Sequence, residues 1–209
     1  MARGRFITFE GGEGAGKSTQ LRRLAARLAA DGLEVVSTRE PGGSPGAESI
    51  RELVLNGAAD RWSALTETLL MYAARRDHIE RVITPALVRG AWVVCDRFAD
   101  STRAYQGAAG GVADALIDGL ETHVLEGVTP DLTLVFDLSP EIGLARAAAR
   151  VGSEARFESK GLAFHERLRD GFAAIAARHP ERCVLIDASL GIEAVEASVW
   201  AAVAGRLHG

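Results

Sequence analysis

Residues 5–30 read RFITFEGGEGAGKSTQLRRLAARLAA, and this stretch decides the fold. Arg5–Glu10 is a short run rich in aromatic and β-branched residues, whereas Lys17–Ala30 repeats its leucines at helical spacing. Between them, Gly11-Gly12-Glu13-Gly14-Ala15-Gly16-Lys17-Ser18 satisfies the pattern G-x-x-x-x-G-K-[ST]. Glycines at these places let successive backbone N–H groups turn inward around phosphate oxygens, and the helix that follows presents its positive N-terminus. In such a loop Lys17 reaches the β- and γ-phosphates, and the Ser18 hydroxyl helps to hold Mg²⁺. The bare pattern recurs by chance, but here it has the strand–loop–helix context it requires. Gly11 through Ser18, together with Thr19, are therefore the expected contacts to a nucleoside triphosphate.

Working outward, Glu34–Arg39, Ala91–Asp96, Leu132–Asp137 and Cys183–Asp187 are further short apolar runs. Most lack clean alternation, as strands covered on both faces do. Between them, helical character fills Ala47–Leu55, Thr66–Arg89, Ala113–Glu126, Pro140–Arg150 and Gly161–Ala177, and a last helix is expected at Ile192–Leu207. This order predicts an α/β fold: a three-layer sandwich with a five-stranded parallel sheet, helices on both faces and right-handed crossovers. No repeat or linker divides residues 1–209, which read as one domain, and the charged segment Arg150–Lys160 (RVGSEARFESK) is expected to form a short mobile lid. Ligands bind beyond the carboxyl ends of the strands in such a sheet. That rule singles out Arg39–Gly43, Asp96-Arg97, Asp137 and Asp187.

Composition narrows the setting. The formal net charge of −4 argues against a broad nucleic-acid surface. No apolar run approaches the roughly 20 residues of a membrane span. The N-terminus moves directly into a strand pattern, so no signal peptide is expected. Cys95 and Cys183 sit in strand-like runs without ligand spacing, and they read as buried side chains in a reducing cytoplasm.

A phosphate loop alone does not select a reaction. The third strand ends in Asp96-Arg97, where a carboxylate can order magnesium waters and a guanidinium can clamp an anionic acceptor. Arginines recur at strand ends and helix faces, and transfer between two anionic molecules needs several cations. A GTPase switch is the rival from another class, but the chain has no Asn-Lys-x-Asp stretch. A regulatory nucleotide-binding module would leave the arginines unexplained. Another nucleoside monophosphate kinase, or a deoxynucleoside kinase, remains open on these residues.

Several further motifs resemble bacterial thymidylate kinases, which move the γ-phosphate of ATP to dTMP. FEGGEGAGKST looks like the family loop, and TREPGG at 38–43 with AESIREL at 47–53 looks like its acceptor-phosphate loop and helix. VCDRFADSTRAYQG at 94–107 is similar to the family signature Asp-Arg-aromatic-x-x-Ser-x-x-Ala-Tyr-Gln. TPDLTLVFDLSPEIGLARAAAR at 129–150 and RFES…FHERLRDGF at 156–172 extend the likeness through the lid. The resemblance implies that Arg97 and Arg51 bind the acceptor phosphate with Arg39 in support. Arg75 would meet an acceptor oxygen on the thymine edge, with Ser101 and Gln106 around the base. Tyr105 would pack beside the sugar and disfavour a ribose 2′-hydroxyl, and Glu13 would accept from the 3′-hydroxyl. Asp96 would place Mg²⁺ through water. Because position 14 is glycine, the resemblance assigns the catalytic arginine to the lid, with Arg156 as its best match and Arg146 and Arg150 as helpers. It also implies a homodimer built on helix packing.

One position departs from that pattern. Relatives carry an aromatic ring, usually Phe, four residues before the base-reading arginine, and here Met71 stands there. An i,i+4 pair shares a helix face, so Met71 is the geometric match and Tyr72 points elsewhere. A thioether can pack on a ring face. Met71→Phe is expected to tighten dTMP binding by about 0.5–1.5 kcal/mol through ring stacking. Calorimetric titration checks this, and weaker binding would show that the site is shaped for the thioether.

Overall fold

The computed structural model describes residues 3–58, 60–149 and 155–207. Its centre is β1 (Phe6–Gly11), all six residues of which are buried. Parallel neighbours flank it, giving the sheet order β2-β3-β1-β4-β5 with β2 at Val35–Arg39, β3 at Trp92–Asp96, β4 at Leu132–Asp137 and β5 at Cys183–Asp187. The strands agree with the expected ones to within a residue at either end. Registers such as Phe9↔Asp96 and Gly11↔Phe136 bring the carboxyl ends of β1, β3 and β4 to one edge. That edge is where the phosphate loop leaves the sheet.

The two faces of β1 have different company. Ile7 and Phe9 join an apolar layer with Leu21, Leu24 and Leu28 of α1 (Lys17–Ala30) and Val195, Val199 and Val203 of the C-terminal helix. On the other face, Phe6 packs with Val93, Cys95 and Phe98, while Thr8 meets Thr133 at 2.9 Å. Both cysteines are free and buried, as expected.

Further helices cover the sheet: α2 (Pro45–Leu55), α3 (Ala64–His78), α4 (Thr84–Val88), α5 (Ala99–Thr102), α6 (Asp114–Leu125), α7 (Pro140–Ala148), α8 (Ala155–Glu158), α9 (Leu162–Arg178) and α10 (Ile192–Leu207). The expected single helix over Thr66–Arg89 is α3 and α4 joined by a π-helical turn at Ile79–Ile83. The rod starts where the Ser63 hydroxyl accepts from the Thr66 N–H at 3.1 Å, an N-cap.

The sequence reading assigned no helix between β3 and Ala113. The structure places α5 there, continued by a π-helical segment at Arg103–Ala108. Most of its residues are buried, including Asp100, Ser101, Thr102, Tyr105 and Gln106. A helix covered nearly all round has no apolar stripe to betray its period. The phosphate loop is itself held tightly from outside. A Cβ on Gly14, whose φ is 67°, would lie 2.0 Å from the Gly143 carbonyl oxygen of α7, so only glycine fits there. Among the described residues, no helix is long and apolar enough to cross a membrane.

Candidate active site

The loop after β1 curls around its own lysine. Lys17 Nζ donates to the carbonyl oxygens of Gly11 at 3.0 Å and Gly12 at 2.7 Å. Burial and the adjacent Arg97 charge hold its pKa down at about 8. One residue on, Ser18 Oγ donates to Asp96 Oδ2 at 2.7 Å, which brings the two candidate Mg²⁺ ligands together.

Arg97 follows Asp96 in the left-handed backbone region, with φ 71°. Few non-glycine residues adopt it, and such strain gathers at functional sites. Its backbone N–H donates to Phe9 O at 3.0 Å. From there Nη1 donates to Gly11 O and Nη2 to Glu13 Oε1, each at 3.0 Å. Tyr105 Oη donates to the same Glu13 oxygen at 2.5 Å, and its ring lies 4.8 Å from the Arg97 guanidinium. Burial alone would raise the Glu13 pKa. Arg97, Lys17 and the Tyr105 hydroxyl outweigh it and hold the carboxyl at about 2, ionised at neutral pH.

Glu13, Arg97 and Tyr105 line a cavity that opens to solvent. Met71, Arg75, Phe98 and Phe157 also line it, as do Ser101 and Gln106. Arg75 is only 2% exposed. Its Nε donates to Glu40 Oε2 at 2.7 Å, and its Nη2 donates to Phe98 O and Thr102 Oγ1, both at 3.0 Å. Its Nη1 is buried with no partner. A guanidinium with two nitrogens tied and the third unspent is aimed, not incidental, because a buried donor without an acceptor is costly. Glu40 in turn meets His78 Nδ1 at 3.0 Å, and His78 Nε2 meets Thr38 Oγ1 at 2.7 Å. Tyr72 turns away from the cavity to Glu121 at 3.2 Å, as the helix geometry implied.

The remaining expected residues divide. Arg51 Nη1 donates at 2.6 Å to the carbonyl of Pro41, which lines the cavity. Arg39 pairs with Glu48 at 3.1 Å on the surface. Ser101 Oγ lies 2.5 Å from Glu10 Oε2, and Gln106 Nε2 donates to Glu67 Oε1 at 2.7 Å, so both wall residues are themselves held. The strand-end aspartates have local duties: Asp137 receives Arg169 at 2.6 and 2.8 Å, and Asp187 caps Ser189.

Arg156 is held elsewhere in this arrangement. The structure does not bring it to the phosphate loop. It is 4% exposed, pairs closely with Glu67, and donates to Val54 O at 3.0 Å and Ala58 O at 3.2 Å. In this arrangement it is a strut between α8 and the α2–α3 connection. A polar sequence segment suggested exposure, but an apolar shelf of Phe157, Phe164 and Tyr105 buries this part of it. Arg146 donates to Ala188 O at 3.2 Å, and Arg150 lies outside the described residues. Sequence reasoning gave no role to Glu40, Phe98 or Phe157, although each lies in a quoted motif, and it passed over Glu67 altogether. Their parts could not be read locally, since each acts on a residue distant along the chain.

Comparisons with known proteins identify what the whole chain resembles. The sequence model of the family described as Thymidylate kinase matches residues 9–199. The chain is 68% identical over 207 residues to the thymidylate kinase of Caulobacter vibrioides, covering 99% of each. It is 58% identical to that of Bradyrhizobium sp. strain ORS 278, covering 98% of this chain and 92% of the relative. The crystal structure of thymidylate kinase from Ehrlichia chaffeensis superposes with a TM-score of 0.78 at 37% identity, covering 95% and 97% of the two chains.

Removing Arg156 strands Glu67 as a buried charge beside Gln106. Arg156→Ala is therefore expected to destabilise the fold by about 3–5 kcal/mol, the usual cost of breaking a buried pair. Thermal or urea unfolding checks this. An unchanged midpoint with turnover down by about 10³-fold would restore the arginine-finger role.

Proposed function

The chain belongs to the thymidylate kinase family, and from that premise we propose how its residues move the γ-phosphate of ATP onto dTMP to give ADP and dTDP. The observation that carries the assignment of roles is the unpartnered, buried Nη1 of Arg75 in the wall of the cavity. A thymine edge offers the carbonyl oxygen it lacks, and Met71 and Phe98 flank the same space. Arg97 receives the acceptor phosphate, with Arg51 beside the Pro41 carbonyl and Arg39 at the rim. Glu13, ionised and pinned by Arg97 and Tyr105, accepts from the 3′-hydroxyl of the sugar. The Tyr105 ring beside it leaves no comfortable place for a 2′-hydroxyl.

At the donor side, the loop backbone from Gly11 to Thr19 cradles the ATP phosphates. Polyphosphate charge beside Lys17 favours its ammonium form, offsetting the burial that lowers its pKa. Ser18 and Asp96, joined at 2.7 Å, supply a hydroxyl and a carboxylate, the hard oxygen donors that Mg²⁺ takes. Bound there, the ion neutralises charge that develops on the phosphates. The attacking phosphate oxygen is already anionic, so no general base is required. Lys17 and Arg97 instead offset the repulsion between two anionic substrates and align them for in-line displacement.

The wider setting follows from the same features. We place the enzyme in the cytoplasm, on the two buried free thiols. One continuous sheet supports a single catalytic domain over residues 1–209, and the lid expected at about residues 150–160 falls partly outside the described residues. A homodimer would bury the apolar side chains that the α2–α3 face leaves out, Leu53, Leu65 and Leu69, each 42–48% exposed. Leu69→Glu is expected to yield monomers in sedimentation analysis. A parent that sediments as a monomer would rule the dimer out.

The assay that tests the acceptor is ADP formation with a panel of monophosphates. dTMP should exceed dCMP by about 10⁴-fold in kcat/KM, because the cytosine amine sets a donor against the Arg75 donor. Comparable turnover of the two would remove Arg75 from base recognition.

A further inference from the structure

Glu10, the last residue of β1 before the loop glycines, has no place in the roles above. Its side chain is fully buried on the acceptor face of the sheet. Oε1 accepts from the Phe98 N–H at 2.7 Å, and Oε2 is 2.5 Å from Ser101 Oγ. These are the two ends of the turn that leaves Arg97. Ser101 Oγ also accepts from Arg97 Nη1 at 3.3 Å. Arg97 is thus gripped twice, through the residue that follows it and through a hydroxyl on its own guanidinium. Its left-handed backbone must be maintained by something, since the conformation is disfavoured for arginine. Glu10 is the group placed to do it.

The charges around Glu10 are spoken for. Arg182 holds Asp100 through two bonds at 2.6 and 2.9 Å, and Arg97 pairs with Glu13. Lys17 is committed to the loop carbonyls. Cys95 and Cys183, on the neighbouring strands, are buried thiols that bring no compensating charge. No ion pair reaches Glu10 among the described residues, and a buried carboxylate without one is expensive. From this geometry we infer that Glu10 is a positioning residue for Arg97, acting as a neutral acid whose two oxygens clamp the Phe98–Ser101 turn. In that form the acid proton points to Ser101 Oγ and the carbonyl oxygen keeps the Phe98 N–H. Burial, followed by the nearby Asp100 charge, raises the Glu10 pKa to about 8, which agrees.

The inference rests on Arg97 being the acceptor-phosphate contact, and the test separates the two. Binding of dTMP is measured by calorimetry at pH 7 and pH 9, with steady-state KM for ATP, in the parent, Glu10→Gln and Glu10→Leu. Glutamine keeps one acceptor and one donor, so Glu10→Gln should bind dTMP within about threefold of the parent at pH 7. Glu10→Leu should weaken dTMP about tenfold or more while the KM for ATP moves little. At pH 9 the parent carries the buried charge and should lose dTMP affinity relative to Glu10→Gln. Ionisation of dTMP is common to both proteins and cancels in that ratio, and the steady-state KM for ATP reports any change at Lys17. The sign for stability is fixed as well. A raised carboxyl pKa gives stability that is complete below the unfolded value of 4.5 and is lost as pH rises towards about 8. The unfolding midpoint of the parent should therefore fall with pH relative to Glu10→Gln over that window. A glutamine variant as weak as the leucine variant at pH 7 would show that the charge is needed and overturn the neutral-acid clamp. An equal pH response in parent and Glu10→Gln would do the same, and parent-like dTMP binding in Glu10→Leu would end the positioning role. A parent that does not bind dTMP at all overturns the acceptor reading and takes this inference with it.

Discussion

Arg97 and Glu13 form the junction on which the two halves of the site depend. One belongs to the end of β3 and the other to the phosphate loop, and their contact at 3.0 Å ties the donor side to the acceptor cavity. Neither could be placed without the parallel pairing of β1 with β3, which sets Phe9 opposite Asp96. The Arg97 backbone then folds back onto Phe9 O, and its side chain reaches across to Gly11 O. A strained residue held by two bonds to backbone carbonyls and one to a carboxylate has little freedom left. That rigidity is what phosphoryl transfer needs, because alignment of two anions, and not proton removal, is the difficult part.

The electrostatics of the junction are counterintuitive at first. On the proposed reading a carboxylate, Glu13, sits where two polyanions must meet, which looks unfavourable. It is nonetheless kept ionised by Arg97 and Lys17, and its charge prevents those two cations from repelling each other apart before substrate arrives. When phosphates enter, they take over part of that compensation. The cost of assembling like charges in a buried place is thus met by the protein during folding.

The sequence disclosed this arrangement unevenly. The five strands, the loop and most helices were legible because apolar runs, glycines and a lysine–serine pair are local signals. Arg97 could be selected because it ends a strand. The helix after it was not legible, since Asp100, Ser101, Thr102 and Gln106 are polar residues buried within the fold. Arg156 misled for the opposite reason: charge in a polar segment suggests solvent, yet Phe157, Phe164 and Glu67 draw it inward. Glu40 lay within the quoted TREPGG motif, but its role was not legible. Its partner Arg75 is 35 positions away, and only tertiary packing brings them together.

The base recognition proposed for Arg75 shows why such distant partners matter. An arginine alone in the cavity wall could swing among several acceptors. Arg75 cannot, because Glu40 fixes Nε, while Phe98 O and Thr102 Oγ1 fix Nη2, leaving Nη1 as its one uncommitted nitrogen. Glu40 is itself fixed by His78, and His78 by Thr38 on β2. The direction of one N–H bond is therefore traceable to the edge strand of the sheet. In that setting the loss of an aromatic ring at Met71 is tolerable. Stacking adds affinity without orientation, and orientation comes from a guanidinium that the fold has already aimed.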